Sequence, residues 1–167
     1  MMRKVLLLMA SAILTAGPAM AGEKDVHLRI GAAYMYQNTI NADVSLEREL
    51  RYGDAVSVFF EAGNKMVKCP ECGKYCKDTF WDRYYWDGGA LYKKCVKQWK
   101  NSMLRVNAGP NFGAYTGNFF MGFQINFEYD IYLYNRWAIS ITQKNQIGFF
   151  HGDTFRDGLM IGLKIPL

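Results

Sequence analysis

Residues 119–130 read Phe-Phe-Met-Gly-Phe-Gln-Ile-Asn-Phe-Glu-Tyr-Asp. Every odd position from Phe119 to Tyr129 is bulky and apolar, and from Gly122 onward the even positions are small or polar. A period of two over about eleven residues is typical of a β-strand with one apolar and one polar face. At roughly 3.3 Å per residue the run is about 35 Å long, enough to cross the hydrocarbon of a bilayer at a tilt. This stretch therefore indicates a transmembrane β-barrel.

The same alternation, outward from that stretch, predicts an all-β chain of eight antiparallel up-and-down strands. The predicted strands cover approximately 27–36, 42–51, 55–64, 91–100, 103–115, 119–130, 137–146 and 158–167. Turns at 52–54, 101–102 and 134–136 fall at one end of this barrel. Connections at 37–41, 65–90, 116–117 and 150–156 fall at the other end. Outer-membrane barrels place short turns in the periplasm and longer loops outside, so 65–90 is predicted to be a long, cysteine-containing extracellular loop.

Alternation alone leaves open whether the apolar faces point to lipid or into a soluble, lipocalin-like barrel. Eight strands enclose only enough space for packed side chains or one small ligand. The bulky faces would overfill that space, whereas the polar faces fit, so we expect the apolar faces to meet lipid. Arg48 shares a face with Leu46 and Leu50, but it lies near the short turn, where its side chain can reach the headgroups.

The inward faces are predicted to form a charge-balanced polar network. Its predicted members are Arg29, Glu47, Glu49, Glu61, Arg105, Glu128, Lys144 and Lys164. Unpaired buried charges are costly, so four bases against four acids indicate mutual pairing. A polar conduit and a plugged lumen both fit this composition, and the small strand number favours the plug.

The N-terminus has the three parts of a secretory signal peptide. Arg3 and Lys4 precede an apolar run, and Ala19-Met-Ala21 resembles a cleavage site, so residues 1–21 are predicted to be removed. The barrel then occupies 22–167, exported to the bacterial outer membrane. The net charge of +5 for the whole chain is too small and dispersed to indicate a nucleic-acid partner.

Four cysteines, Cys69, Cys72, Cys76 and Cys95, follow the spacing C-x2-C-x3-C-x18-C. In a cytosolic chain this spacing would indicate zinc. Export implies an oxidising compartment, so two disulfide bonds are expected, with three possible connectivities. No metal or cofactor is predicted, and a redox role for the C-x-x-C unit lacks the surrounding βαβ pattern.

The segment 65–100 combines basic and aromatic residues, including Trp81, Tyr84, Tyr85 and Trp86. Such a composition can bind acidic saccharides, lipopolysaccharide phosphates or a protein partner. Alternatively, the aromatic side chains belong to an interfacial girdle and the lysines face water. This segment is the leading candidate for an interaction surface. Outer-membrane lipid or lipopolysaccharide is one expected partner, and a protein is another.

His151 and Asp153 form the weak catalytic candidate. They could act as a general base and its orienting acid in a lipid-A-modifying barrel. Their His-x-Asp spacing differs from the His-x-Ser of barrel deacylases, and Gly152-Asp153 also fits a simple turn. We therefore expect the protein not to be an enzyme.

The stretch Leu104–Tyr115, followed by Phe123–Tyr134 and Gly158–Ile165, resembles the small porin-like outer-membrane barrels. With Arg136-Trp137 and Gln143-Lys144-Asn145 between them, these strands are similar in order to the TraO-type proteins of conjugative transposons. This resemblance implies an envelope component of a conjugation apparatus, without catalytic residues. A structural or interaction barrel is thus the leading expectation, with a narrow pore or ligand-binding barrel and a lipid-A enzyme as alternatives.

Overall fold

The computed structural model describes residues 26–36, 38–66, 73, 84–149 and 155–167. Their eight strands form one closed antiparallel barrel in which each strand pairs with its neighbours in sequence and β1 pairs with β8. The strands are β1 (Val26–Met35), β2 (Thr39–Glu49), β3 (Ala55–Lys65), β4 (Tyr84–Gln98), β5 (Ser102–Tyr115), β6 (Asn118–Tyr132), β7 (Ala138–Gly148) and β8 (Phe155–Pro166). The predicted eight-stranded up-and-down barrel is confirmed.

The two ends of the barrel differ in their connections. At the turn end, residues 50–54, 99–101 and 133–137 join the strands, and two of these connections contain short 3-10 turns, Arg51–Gly53 and Tyr134–Arg136. At the loop end, the connections are 36–38, 66–83, 116–117 and 149–154. The tightest connection is the predicted two-residue hairpin at Thr116-Gly117. Both residues have positive φ, as a two-residue turn needs to match the right-handed twist of the strands that it joins.

The barrel is polar inside and apolar outside. Along β6, Gln124 and Glu128 have no exposed surface, whereas Ile125 and Phe127 are 40% and 48% exposed. A soluble barrel would bury its apolar face, so the lipocalin-like alternative is wrong. An apolar outer wall around a polar interior is the arrangement of a transmembrane β-barrel. Arg48 lies on the outer wall close to the turn end and is half-buried there.

The fourth strand begins earlier than the sequence predicts. It starts at Tyr84 instead of residue 91, because Tyr84, Tyr85 and Trp86 pair with Asn64, Gly63 and Ala62 at the end of β3. The long connection is therefore 66–83 instead of 65–90.

These three aromatic residues were predicted to belong to the loop, and that assignment is wrong. The Tyr85 side chain lies in the lumen, 2% exposed, and Trp86 packs on the outer wall with its ring centroid 6.4 Å from that of Phe60. Tyr84 is the exposed first residue of β4.

Three predictions lie outside the described residues: the signal peptide at 1–21, most of the long loop, including Trp81, and the catalytic candidates His151 and Asp153. Within the described part of the chain, no helix is long and apolar enough to cross a membrane.

Candidate functional site

The lumen contains a network of buried ion pairs and hydrogen bonds. All eight predicted lumen residues face it, because their strands keep strict inward and outward alternation. Seven of them are buried, and Glu49 lies at the turn-end rim with 24% of its side chain exposed.

Glu128, on β6, is the most highly connected acid of this network. Its carboxylate accepts hydrogen bonds from Arg29 Nη1 at 3.0 Å and from Lys93 Nζ at 2.8 Å. Lys164 Nζ lies 2.5 Å away, and Asn107 Nδ2 donates at 2.9 Å. Three cations from β1, β4 and β8 thus converge on one carboxylate.

Glu47, on β2, faces Glu128 across the barrel, and the same lysines join the two acids. Lys93 Nζ is 2.5 Å from Glu47, and Lys164 Nζ is 3.1 Å from it. Since β2 and β6 are four strands apart in a ring of eight, these contacts span the full diameter.

Arg105 extends the network to the turn end. Its guanidinium contacts Glu47 at 2.8 Å, Asp130 at 3.0 Å and Glu49 at 2.8 Å. Its Nε donates to the carbonyl oxygen of Gly53 at 2.9 Å. One fully buried arginine therefore ties the central acids to the turn that precedes β3.

A second ion pair crosses the barrel nearer the loop end. Lys144 on β7 pairs with Glu61 on the opposite strand β3, and Asn41 Nδ2 donates to Glu61 at 3.1 Å. The Lys144 ammonium also lies 5.6 Å from the ring centroid of Phe59, within the range of a cation–π contact.

Asp87 organises the polar groups above that pair. One of its carboxylate oxygens accepts hydrogen bonds from Tyr85 at 2.6 Å, Gln146 at 2.8 Å, Asn111 at 2.9 Å and Gln124 at 3.2 Å. These donors come from four different strands, so Asp87 ties together the wall of the barrel at this level.

Arg156 covers the Asp87 group on the loop side. Its guanidinium carbon lies 4.7 Å from the ring centroid of Tyr85, 5.0 Å from that of Tyr115 and 5.7 Å from that of Phe120. Only 7% of Arg156 is exposed, so the described part of the lumen ends in a cation held among aromatic rings.

Sequence reasoning missed five charged members of the lumen. They are Asp43, Asp87, Lys93, Asp130 and Arg156. Asp43 and Asp130 lie at inward-facing positions of strands that were correctly predicted. Strict alternation along those strands would have included both residues in the lumen. Lys93 could not be assigned to the lumen because β4 has lysines on both faces. Asp87 and Arg156 lie in segments that were predicted to be loops.

This arrangement crosses the lumen and balances the charge of its described residues. Among the described residues, six bases and six acids are buried between the walls, apart from Asp54 in a turn. Removing one member of such a pair leaves an uncompensated buried charge, which is strongly destabilising. The geometry is that of a buried polar interior held by ion pairs.

Cys95 lies at the turn end, and the predicted disulfide framework that included it is wrong. Cys95 is a free cysteine near the end of β4, whose first residue, Tyr84, follows the long loop. About eleven strand residues, roughly 35 Å of extended chain, separate it from that loop end. Cys69, Cys72 and Cys76 lie outside the described residues, and any pairing among them stays a prediction.

Asp54 anchors the turn before β3 to the bulged end of β4. It accepts hydrogen bonds from Tyr92 Oη at 2.6 Å, Lys94 Nζ at 2.8 Å and the Cys95 backbone N–H at 2.9 Å. Desolvation by burial acts to raise the pKa of Asp54, but these hydrogen bonds outweigh it and lower the pKa to about 2.

The weak catalytic candidates His151 and Asp153 lie outside the described residues. Across the part of the chain that is described, no cluster of three or more His, Cys, Asp or Glu side chains could hold a metal ion. The enzyme hypothesis therefore rests on sequence alone.

Comparison with solved structures supports the architecture. The Yersinia pestis outer membrane protein Ail in a phospholipid nanodisc matches with a TM-score of 0.59 and 12% identity, over 87% of this chain and 100% of that one. Ail crystallised with the heparin analogue sucrose octasulfate gives 0.53 and 10%, over 89% and 100%. A de novo designed transmembrane β-barrel gives 0.56 and 11%, over 89% and 100%.

No protein-family model matches the sequence, and no curated protein is significantly similar to it. At such low identities the structural likeness concerns the fold alone. The chain therefore has the fold of the small outer-membrane β-barrels.

Proposed function

We propose that this protein is a plugged barrel of the bacterial outer membrane with a structural or interaction role. The observation that carries the proposal is the set of ion pairs that cross the lumen, with Lys144–Glu61 joining β7 to β3 and Lys93 bridging Glu47 and Glu128. A barrel closed in this way acts through its ends and its outer wall.

The loop 66–83 is the proposed interaction surface. It contains Phe80 and Trp81 and carries four basic and three acidic residues, so it is close to neutral. Four of the lysines that make segment 65–100 basic, Lys93, Lys94, Lys97 and Lys100, belong instead to β4 and the turn after it. Contact with lipopolysaccharide or a protein partner would therefore depend mainly on the loop's aromatic side chains.

Planar-bilayer recording tests the plug. Purified full-length mature protein, folded into the bilayer, should give no steady conductance, because the paired side chains cross the lumen. A steady, voltage-independent current from the folded protein would overturn the plug and favour a narrow pore.

Loop replacement tests the interaction role. Exchanging residues 68–82 for a Gly/Ser segment of equal length should leave the barrel folded, as judged by heat-modifiable migration. Binding to lipopolysaccharide-containing vesicles or to the loop's protein partner should fall, and Trp81→Ala alone should reproduce much of the loss. Ail with sucrose octasulfate makes an acidic saccharide a useful second probe. Unchanged binding by the replacement variant would reject the loop as the surface.

Export and a place in conjugation complete the proposal. The signal peptide supports cleavage after Ala21 and delivery to the outer membrane, which N-terminal sequencing of membrane-fraction protein checks. The resemblance to TraO-type proteins supports a role in the envelope part of a conjugative transfer system. Deleting the gene should then lower the transfer frequency of the element that encodes it, and an unchanged frequency would reject this role.

A further inference from the structure

In the described strands, one exposed amide lies at mid-depth on the outer wall. Gln143 is the sixth of the eleven residues of β7, faces outward and is exposed. Apart from tyrosines, the other exposed polar side chains of these strands lie near strand ends: Lys94, Lys97, Gln98 and Asn118. At about 3.3 Å per residue and a tilt of about 45°, either end of β7 is roughly 12 Å of depth away from Gln143, more than a glutamine side chain can span. The amide therefore lies at the level of the acyl chains.

The Gln143 amide is unsatisfied within the described barrel. Among the residues that the structure describes, none forms a hydrogen bond with its side chain. Its neighbours in register are Phe127 on β6 and Leu159 on β8, and neither side chain can form a hydrogen bond. Because the bilayer core holds no water to replace a partner, an unpaired amide at this level is costly. A hydrogen-bond partner therefore has to come from beyond the described barrel.

Asn145, two residues nearer the loop end, adds a second amide to the same face. The backbone ladder between β6 and β7 is interrupted at this level. In its place, the Asn145 backbone N–H donates to Asn126 Oδ1 at 2.9 Å, and Asn145 Nδ2 donates to the Ile125 carbonyl oxygen at 2.9 Å. A side-chain amide has two hydrogens to donate and an oxygen that accepts, so Asn145 has further hydrogen-bonding capacity. Gln143 and Asn145 together are called the amide patch.

Exposed apolar side chains surround the amide patch. The nearest ones in register are Ile125, Phe127, Ile141, Leu159 and Ile161. Lipid tails are as apolar as these side chains, so apolar contact alone gives little drive for association inside a membrane. Hydrogen bonds between amides supply that drive, because each amide both donates and accepts. The patch thus fits a partner that presents amides at the same depth.

We infer that the amide patch is the contact between two copies of this chain. A two-fold axis along the membrane normal keeps both copies at the same depth, so Gln143 of one barrel meets Gln143 of the other. Each side chain then donates through Nε2 and accepts through Oε1. A primary amide is complementary to itself, whereas acyl chains offer it neither a donor nor an acceptor. The inference rests on the lipid-facing outer wall and is independent of the plug and of the loop.

Sedimentation equilibrium of the full mature protein in density-matched detergent micelles, with reductant present, measures the dimerisation constant. Gln143→Leu removes the amide at nearly constant volume. It should lower that constant by roughly ten-fold, the contribution expected of two side-chain hydrogen bonds in a membrane. Val44→Leu is the matched control, because Val44 is the sixth of the eleven residues of β2, faces outward and lies three strands away from β7. The control should leave the constant unchanged, and both variants should keep heat-modifiable migration.

Photo-cross-linking in the membrane identifies the occupant of the patch. A benzophenone amino acid in place of Ile141 should give a product with twice the mass of the chain, and the same group in place of Val44 should give none. A product with a different protein, or no protein product from position 141, would overturn the second copy as the occupant. A wild-type protein that stays monomeric in micelles, or an undiminished dimer of Gln143→Leu, would overturn the amide contact.

Discussion

Replacing Glu128 by glutamine should destabilise the barrel by about 3–5 kcal/mol, the range observed when one partner of a buried ion pair is removed. The two side chains have nearly the same shape, so no cavity term enters. The loss comes from charge, because Arg29, Lys93 and Lys164 all contact this carboxylate, which is 0% exposed. Glutamine also turns an N–H donor toward groups that are themselves donors.

The measurement is unfolding by denaturant in phospholipid vesicles, followed by tryptophan fluorescence and by heat-modifiable migration. Ile125→Leu is the matched control. Ile125 lies three residues from Glu128 on the outward face of β6, and the substitution keeps the side-chain volume. We expect that control to cost less than about 1.5 kcal/mol.

A second substitution separates charge balance from general damage. Lys93→Met removes a cation that contacts both Glu128 and Glu47, so alone it also leaves an unpaired charge. Combined with Glu128→Gln it restores the balance, and the double variant should lose at least about 1 kcal/mol less than the sum of the single losses. Additive losses below about 1 kcal/mol each would mean that the lumen pairs behave like solvated surface pairs, which refutes the packed plug.

Three further predictions test other parts of the molecule. Ile125→Arg on the mid-strand outer wall should lower the free energy of unfolding in vesicles by about 2–4 kcal/mol, whereas Leu133→Arg at the turn end should lower it by less than about 1 kcal/mol. Equal losses would contradict the assignment of the lipid face. The pKa of Asp54 is lowered to about 2 in the folded protein, so its ionised carboxylate stabilises the fold above about pH 4, and this stabilisation is lost as the pH falls toward 2. The difference in unfolding free energy between wild type and Asp54→Asn should therefore shrink over that window. A constant difference would reject the linkage. Peptide mapping without reductant should find Cys95 as a thiol, and a disulfide-linked peptide that contains Cys95 would contradict its position.

The parts of the fold that the sequence predicts are those governed by a period of two. In β6 and β8 every second residue faces lipid, so membrane-length strands and their inward residues follow from parity alone. The same parity predicts that Glu128 and Lys164 lie in the lumen. The ion-pair partner of each lumen residue could not be predicted. Strand tilt and stagger decide which residues of opposite strands lie at the same height along the barrel axis.

The first half of β4 could not be predicted because its local signals contradict its place in the sheet. Asp87, Gly88 and Gly89 are poor strand formers, and they outweigh the strand preference of the aromatic residues that precede them. Pairing with β3 overrides these preferences: Gly88 and Gly89 lie opposite Phe60 and Phe59. A Cβ at Gly89 would lie 2.3 Å from the Pro110 carbonyl oxygen on the other neighbouring strand, so the close approach requires glycine.

The position of β4 decides which residues of segment 65–100 are available at each end of the barrel. In the sequence, segment 65–100 looks like one basic, aromatic, cysteine-bearing unit, but the barrel divides it among three environments. Lys93 lies in the lumen, Cys95 and Lys100 lie toward the turn end, and only 66–83 belongs to the loop. Most of the basic residues of this segment that lie in β4 and its turn are therefore unavailable to the loop, so recognition at the loop end has to rely on aromatic surface. Substitution of Trp81 should consequently lower partner binding, whereas substitution of Lys100, at the opposite end of the barrel, should leave partner binding unchanged.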